Sequence, residues 1–267
     1  SILERWLTHN DGEEELEKLV SLFDESIDSH ISISWCKDLI EIKPKSQSAW
    51  CRLLELHSQN NDSSSAFEAA TRIVELDPDS VQGNVFLSNY HLYNEDWVNA
   101  IYHSERCISQ DPMDSEALRN IAKSHQGNGN EKAATDAWEK WSNSNSSCVE
   151  DYISASEFFL SKGRFSVSAT ISSRGIEIEN NNIPLLELLI LAYSSLDEWS
   201  LCLEVSKKLS LLDRNNSIAI WHRKKSNFNL GITLESEEIT NKHRRMWFSI
   251  LEREDSENDS IRWFNLI

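Results

Sequence analysis

The chain has 267 residues, of which only 7 are glycine and 4 proline, and 39% are hydrophobic. That scarcity excludes most turn-rich α/β enzymes, which need glycine for tight turns and for close backbone approach to ligands, and it favours an all-α chain. The net charge of −18 is uneven: residues 1–200 carry 15 Lys+Arg against 34 Asp+Glu, and residues 201–267 carry 11 against 10. So acidic a body lacks the positive footprint that phosphate binding requires, which argues against nucleic acid as the main partner.

In chain order, the first predicted element is a short helix, Ile2 to Thr8, stopped by Asn10-Asp11-Gly12. Residues 1–12 are expected to be an N-terminal cap or the tail of a preceding repeat. From there a period takes over, because Pro44, Pro78 and Pro112 stand 34 residues apart. Each closes an apolar helix and opens the next, as in Glu75-Leu76-Asp77-Pro78-Asp79-Ser80, since a proline just past a helix end cannot continue it. With that proline at position 32, residues 13–216 divide without insertions into six units, 13–46, 47–80, 81–114, 115–148, 149–182 and 183–216. Position 7 reads Leu19, Leu53, Leu87, Ile121, Ala155, Leu189, and position 20 is small throughout: Ser32, Ala66, Ala100, Ala134, Ser168, Cys202. Apolar residues at three- and four-residue spacing predict two helices per unit, A and B. Gln59–Ser65, Gly127–Glu131 and Ser161–Arg164 are among the turns between them. Small residues at position 20 let the two backbones approach closely. No unit can bury its apolar face alone, so neighbours must stack.

Beyond 216 the frame weakens. Ser217 to Leu230 still reads as a helix A, ended by Gly231, and Glu235 to Glu252 as a longer helix, so 217–267 is expected to hold a degenerate seventh repeat and C-terminal capping helices. The last residues, Ile261-Arg262-Trp263-Phe264-Asn265-Leu266-Ile267, are unusually apolar for a free tail.

These residues resemble the tetratricopeptide repeat family, whose 34-residue unit carries a W…L-G…Y, A…F…A and P pattern. The second and third units carry the likeness best, through Trp50, Leu53, Ala66, Ala70 and Pro78, then Leu87, Ala100 and Pro112. The glycine of position 8 is missing everywhere, replaced by Val20, Leu54, Ser88, Ala122, Ser156 and Ile190, so Leu54 and Ile190 imply altered local packing. The resemblance implies an all-α, right-handed superhelical solenoid that acts as a protein–protein interaction scaffold, holding a partner peptide or helix in a concave groove lined by the A helices. Two alternatives stand beside it: an accessory repeat region of a larger enzyme such as a transferase, and an RNA-processing scaffold of the half-a-TPR type.

In the family register, positions 2, 5, 6, 9, 12 and 13 point into the groove. The third and fourth units place Phe86, Asn89, Tyr93, Arg119, Asn120 and Lys123 there, and these are the candidate partner-binding residues. Arg119 and Lys123 lie one turn apart on one face, a cationic pair fit for a carboxylate or an extended peptide. The family's carboxylate clamp for chaperone C-termini is not matched: Val85, Asn89, Asn120, Glu150 and Ser154 hold its positions, and every required cation is missing. Two basic runs, Arg223-Lys224-Lys225 and His243-Arg244-Arg245, read as solvated faces of the C-terminal cap.

Nothing in the sequence points to catalysis. It holds no G-x-S-x-G, phosphate loop, G-x-G-x-x-G or H-E-x-x-H, and no cofactor is expected. His57, His91 and His125 recur 34 residues apart at position 11, where Phe23, Phe159 and Tyr193 stand in other units. They read as interior aromatics bonded through a ring nitrogen, and as three imidazoles that loosen the array below about pH 6. Stacked repeats hold equivalent atoms about 10 Å apart, too far for one zinc ion with bonds near ~2.1 Å, so no metal site is expected. Cys36, Cys51, Cys107, Cys148 and Cys202 form no C-x-x-C pair. They read as reduced thiols of an intracellular, cytoplasmic protein, although a chain starting at Ser1 fits a processed product or a piece of something longer. No apolar run approaches the length of a membrane span.

Overall fold

The computed structural model describes residues 29–144 and 146–232, and among these every regular element is an α-helix. The elements are α1 (Ser29–Ile42), α2 (Gln47–Gln59), α3 (Ser63–Leu76), α4 (Val81–Tyr93), α5 (Trp97–Gln110), α6 (Ser115–Gly127), α7 (Glu131–Ser142), α8 (Val149–Ser161), α9 (Phe165–Ile178), α10 (Ile183–Ser195), α11 (Trp199–Leu212) and α12 (Ser217–Asn229). The A-type helices begin at residues 47, 81, 115, 149, 183 and 217, each 34 beyond the last, and the B-type helices at 29, 63, 97, 131, 165 and 199 keep the same interval. Each A helix from α2 to α10 packs on the B helix that follows it, and α4 on α6, α8 on α10 and α10 on α12 continue the stacking from one A helix to the next. The readings at 1–12 and 235–267 lie outside the described residues.

The chain divides into two compact units, Ser1–Ser146 and Ser147–Ile267. The division falls after the shortest of the described B helices, although the 34-residue interval of helix starts continues through it. α7 has 12 residues, whereas α3, α5, α9 and α11 have 14, and its C-cap Asn143 is helical where those four end on extended residues. Position 32 is Ser146 there, so the proline that closes the earlier units is gone.

Turns between helices are built from short polar residues placed to satisfy the loose backbone groups of helix ends. Asp62, Asp96 and Asn130 cap α3, α5 and α7, each accepting the backbone N–H three residues on. Asp114, Asn182 and Asn216 do the same for α6, α10 and α12. In the loops between repeats Asp77, Asp111 and Asp213 each accept the N–H two residues ahead, which explains the recurring acid of the Asp-Pro phrase. The turn after each A helix from α2 to α12 passes through the left-handed region at position 15, occupied by Asn61, Glu95, Gly129, Gly163, Asp197 and Gly231 with φ from 57° to 73°. A side chain pays about 1–2 kcal/mol there, part of which glycine gives back through the entropy of its unfolded chain. Glu95→Gly is therefore expected to stabilise the amino-terminal unit by about 0.5–1 kcal/mol, read as a higher urea midpoint at unchanged slope.

The small residues at position 20 are all buried, none more than 1% exposed in α1, α3, α5, α7, α9 and α11. Ser168 Oγ donates to Ser156 O at 2.9 Å and the Cys202 thiol to Ile190 O at 3.7 Å, so position 20 meets the backbone of position 8 on the partner helix. Position 24 meets position 8 from the other side, as the 2.6 Å contact of the Ser88 and Ser104 hydroxyls shows. This accounts for the absent glycine. Leu54 stands with Ala70, Ser88 with Ser104, Ala122 with Trp138, Ser156 with Ser172 and Ile190 with Ser206, all ten buried. A large residue on one helix is matched by a small one on the other, which keeps packing dense without glycine.

Candidate functional site

The candidate residues lie on α4 and α6, two neighbouring A helices of the amino-terminal unit. Three of them are tied into one hydrogen-bonded cluster. Asn120 Nδ2 donates to Asn89 Oδ1 at 2.9 Å and to Ser88 Oγ at 2.6 Å, and Asn89 Nδ2 donates to Glu116 Oε1 at 2.8 Å. The Arg119 guanidinium reaches Asn120 Oδ1 and Asn89 Oδ1, each at 3.0 Å, and Glu116 Oε1 at 3.2 Å. Asn120 is 1% exposed. Its place is under the surface, orienting Asn89 and Arg119, and the network continues inward through Ser88 and Ser104 to Ala100 O. A satisfied buried network of this kind holds its outer members in one geometry. Glu116, absent from the sequence reading, partly neutralises Arg119. Only its i,i+3 spacing from Arg119 could have announced it.

The other three candidates differ in depth. Phe86 is half-buried against the core and lies 6.3 Å from Tyr90, ring to ring. Lys123 is half-buried one turn beyond Arg119. Tyr93, at the end of α4, is 88% exposed. A second contact of the same kind precedes the cluster, where Gln82 Nε2 donates to Glu55 Oε1 at 3.2 Å. Position 9 of one A helix thus meets position 2 of the next, at Glu55–Gln82 and again at Asn89–Glu116.

Of the position-11 histidines His57 is buried and His91 and His125 are half-buried, and two of them have a specific partner. His57 Nδ1 lies 3.2 Å from Asp62 Oδ2 and His91 Nδ1 3.0 Å from Asp96 Oδ2. Each aspartate is the cap of the following B helix, so one carboxylate serves both the helix end and the imidazole. Hydrogen bonds from Ser65 and Asn99, then the nearby histidine, hold the Asp62 and Asp96 carboxyls below the usual carboxylate range. In the next repeat Asn130 replaces the acid, and His125 Nδ1 is buried with no hydrogen-bond partner among the described residues. Two further histidines are held neutral by burial: His103 on α5 and His222 on α12 are both pushed down to about 4, chiefly by desolvation.

All five cysteines are free, and Cys36, Cys107 and Cys202 are buried. Burial pushes the Cys36 and Cys107 thiols up to about 11, so neither is a thiolate at neutral pH. Among the described residues no three His, Cys, Asp or Glu side chains gather in a way that could hold a metal ion, and no helix is long and apolar enough to cross a membrane.

No family model and no curated protein matches the sequence. Solved structures do match. YrrB, described as a TPR protein with an unusual peptide-binding site, superposes with a TM-score of 0.57 at 13% identity, over 71% of this chain and 97% of that one. PilF of Pseudomonas aeruginosa gives 0.60 at 11% identity over 79% and 96%. PilW, a type IV pilus biogenesis factor, gives 0.54 at 13% identity over 78% and 96%. All of these are tetratricopeptide-repeat proteins. With helix pairs recurring every 34 residues and backbones that superpose at this level, the chain is an all-α solenoid of the tetratricopeptide-repeat fold.

Proposed function

We propose that the chain is a protein–protein interaction scaffold whose amino-terminal unit holds an extended peptide or a helix of a partner along the α4–α6 face. The single observation that carries this reading is the hydrogen-bonded cluster of Asn89, Glu116, Arg119 and Asn120, which fixes polar side chains at the edge of two A helices beside the exposed Tyr93. Pre-set polar groups next to an aromatic anchor are what a partner-binding surface needs, because ordering costs fall before the partner arrives. YrrB, which shares the fold, is described as having an unusual peptide-binding site, and this supports a peptide-holding role. The scaffold works by binding and requires no chemistry of its own. The acidic balance of residues 1–200 favours a partner segment that is basic overall, with an acidic or carboxylate group facing Arg119 and Lys123.

Arg119 is a poor residue for testing this, because changing it also breaks the cluster. Tyr93→Ala is cleaner. Partners recovered with the wild-type chain by affinity purification are expected to bind this variant about ten-fold or more weakly, with little change in Tm, since Tyr93 is 88% exposed. Unchanged recovery would remove the α4–α6 face as the binding surface.

A further inference from the structure

The third repeat contains a pair of histidines found in none of the other described repeats. His91, at the end of α4, and His103, in the middle of α5, stack with centroids 5.6 Å apart and planes within 6°. At the position of His103 the other B helices carry Trp35, Ala69, Ala137, Ile171 and Val205. His103 is 9% exposed, and its Nδ1 lies 2.8 Å from Asn84 Oδ1. The Asn84 amide is committed, with Nδ2 donating to Pro78 O at 2.9 Å and to Ser80 O at 2.8 Å. Its oxygen can therefore only accept, and His103 must carry its proton on Nδ1. On the other ring, His91 Nδ1 faces the Asp96 carboxylate. One chain of contacts thus runs from the loop before the repeat (Pro78, Ser80), through Asn84, His103 and His91, to Asp96 at the α4–α5 turn.

From this arrangement we infer that the α4–α5 hairpin is an acid-sensitive joint, closed at neutral pH and opened by proton uptake at the stacked histidines, so that acid releases whatever α4 holds. This rests on the reading of α4 as a partner-binding helix: Phe86, Asn89 and Tyr93 share it with His91. The charges around the pair set the direction. His91 Nδ1 has the Asp96 carboxylate 3.0 Å away, whereas among the described residues no carboxylate touches His103. A proton on His103 is opposed by the parallel His91 ring 5.6 Å away and by Arg106 one turn further along α5. Asp96 is the one nearby acid that favours the proton. From α3 the contact is the uncharged edge of Phe67, 5.9 Å from His91, while Glu68 is exposed and Arg72 and Glu75 pair with each other. On α6, Glu116 and Arg119 are bound to Asn89, and His125 is half-buried. Burial, then His91, then Arg106 hold the His103 imidazole down to about 4, against about 6.5 when the hairpin is open. The closed form therefore loses ground to the open one as pH falls from 6.5 towards 4.

Amide hydrogen exchange on the whole chain, corrected for the intrinsic effect of pH, measures this without any partner. Opening of residues 81–110 is expected to become about 25-fold more frequent between pH 7.5 and pH 5. Residues 47–76, where Ala69 stands at the position of His103, are expected to change far less. His103→Phe should flatten the response of 81–110 to within about three-fold. His91→Phe, which restores the aromatic that other repeats carry at that position, should reduce it and serves if the first variant folds poorly. A response in 81–110 no larger than in 47–76, or one that survives both substitutions, overturns the joint. A joint that opens while partners recovered at neutral pH stay bound at pH 5 overturns the assignment of α4 to partner binding and leaves the joint standing.

Discussion

Trp138→Ala is expected to cost the amino-terminal unit about 3–5 kcal/mol, a large share of the roughly 5–15 kcal/mol that holds a domain of ordinary stability. Trp138 has no exposed surface and Trp141 has 1%, and the two rings meet edge to face at 5.4 Å and 88°. The reason for the size of the effect lies in the register. Position 24 faces position 8 of the partner helix, and in this repeat position 8 is Ala122, itself fully buried. Where position 8 is large, as at Leu54 and Ile190, position 24 is the small Ala70 or Ser206. Ala122 is too short to fill the space that loss of the tryptophan would leave. α7 also ends just after Trp141, two residues shorter than α3, leaving less chain to close over the gap. Urea melts of the wild type and the variant check this: a midpoint shift worth less than about 1 kcal/mol would mean that the site collapses freely. Trp138→Phe is expected to fall between the two.

The helices were legible because their signals are local and repeat. Three prolines at a constant interval set the phase, and one buried small residue in every B helix confirms it. The trade between positions 8 and 24 was only half visible. Leu54 and Ile190 stood out as departures, but their complements Ala70 and Ser206 gain meaning only once two helices are seen to face each other at that point. The same holds for the histidines. Their 34-residue spacing was plain at position 11, whereas Asp62 and Asp96 pair with them across a turn whose left-handed residue carries no uniform signature, being Asn61 in one repeat and Glu95 in the next. His103 went unnoticed because it occurs once, and a periodic reading discards what does not recur. Among the candidate binding residues, Asn120 was assigned to the groove by register. Its side chain instead turns under the surface, because Ser88 and Asn89 offer it two acceptors there. Register fixes which face a residue starts from, and the hydrogen-bond partners decide where its side chain ends.

The carboxy-terminal unit is expected to weaken steeply in acid through one residue, His222. This imidazole on α12 is 5% exposed, and its Nδ1 has no hydrogen-bond partner among the described residues. Beside it on the same helix is the Lys225 ammonium. Burial first, and Lys225 second, hold His222 down to about 4, while in the unfolded chain it titrates near 6.5. Above pH 6.5 both states are neutral there and nothing is lost. Between 6.5 and 4 the unfolded chain holds a proton that the folded one refuses, so stability falls by about 1.4 kcal/mol per pH unit. That amounts to roughly 2 kcal/mol by pH 5, before most ordinary carboxylates have begun to protonate. His222→Phe keeps the ring and removes the proton site, and a buried imidazole nitrogen without a partner gains from being replaced by carbon. The variant should therefore be at least as stable as the wild type at pH 7.5, with the advantage widening as the pH drops. Hydrogen exchange of residues 217–229, followed from pH 7.5 to 5, reads this unit separately from the His103 joint in the other. If wild type and His222→Phe give parallel curves there, the imidazole takes up its proton as readily in the folded unit as in the unfolded chain, and burial beside Lys225 does not oppose its charge.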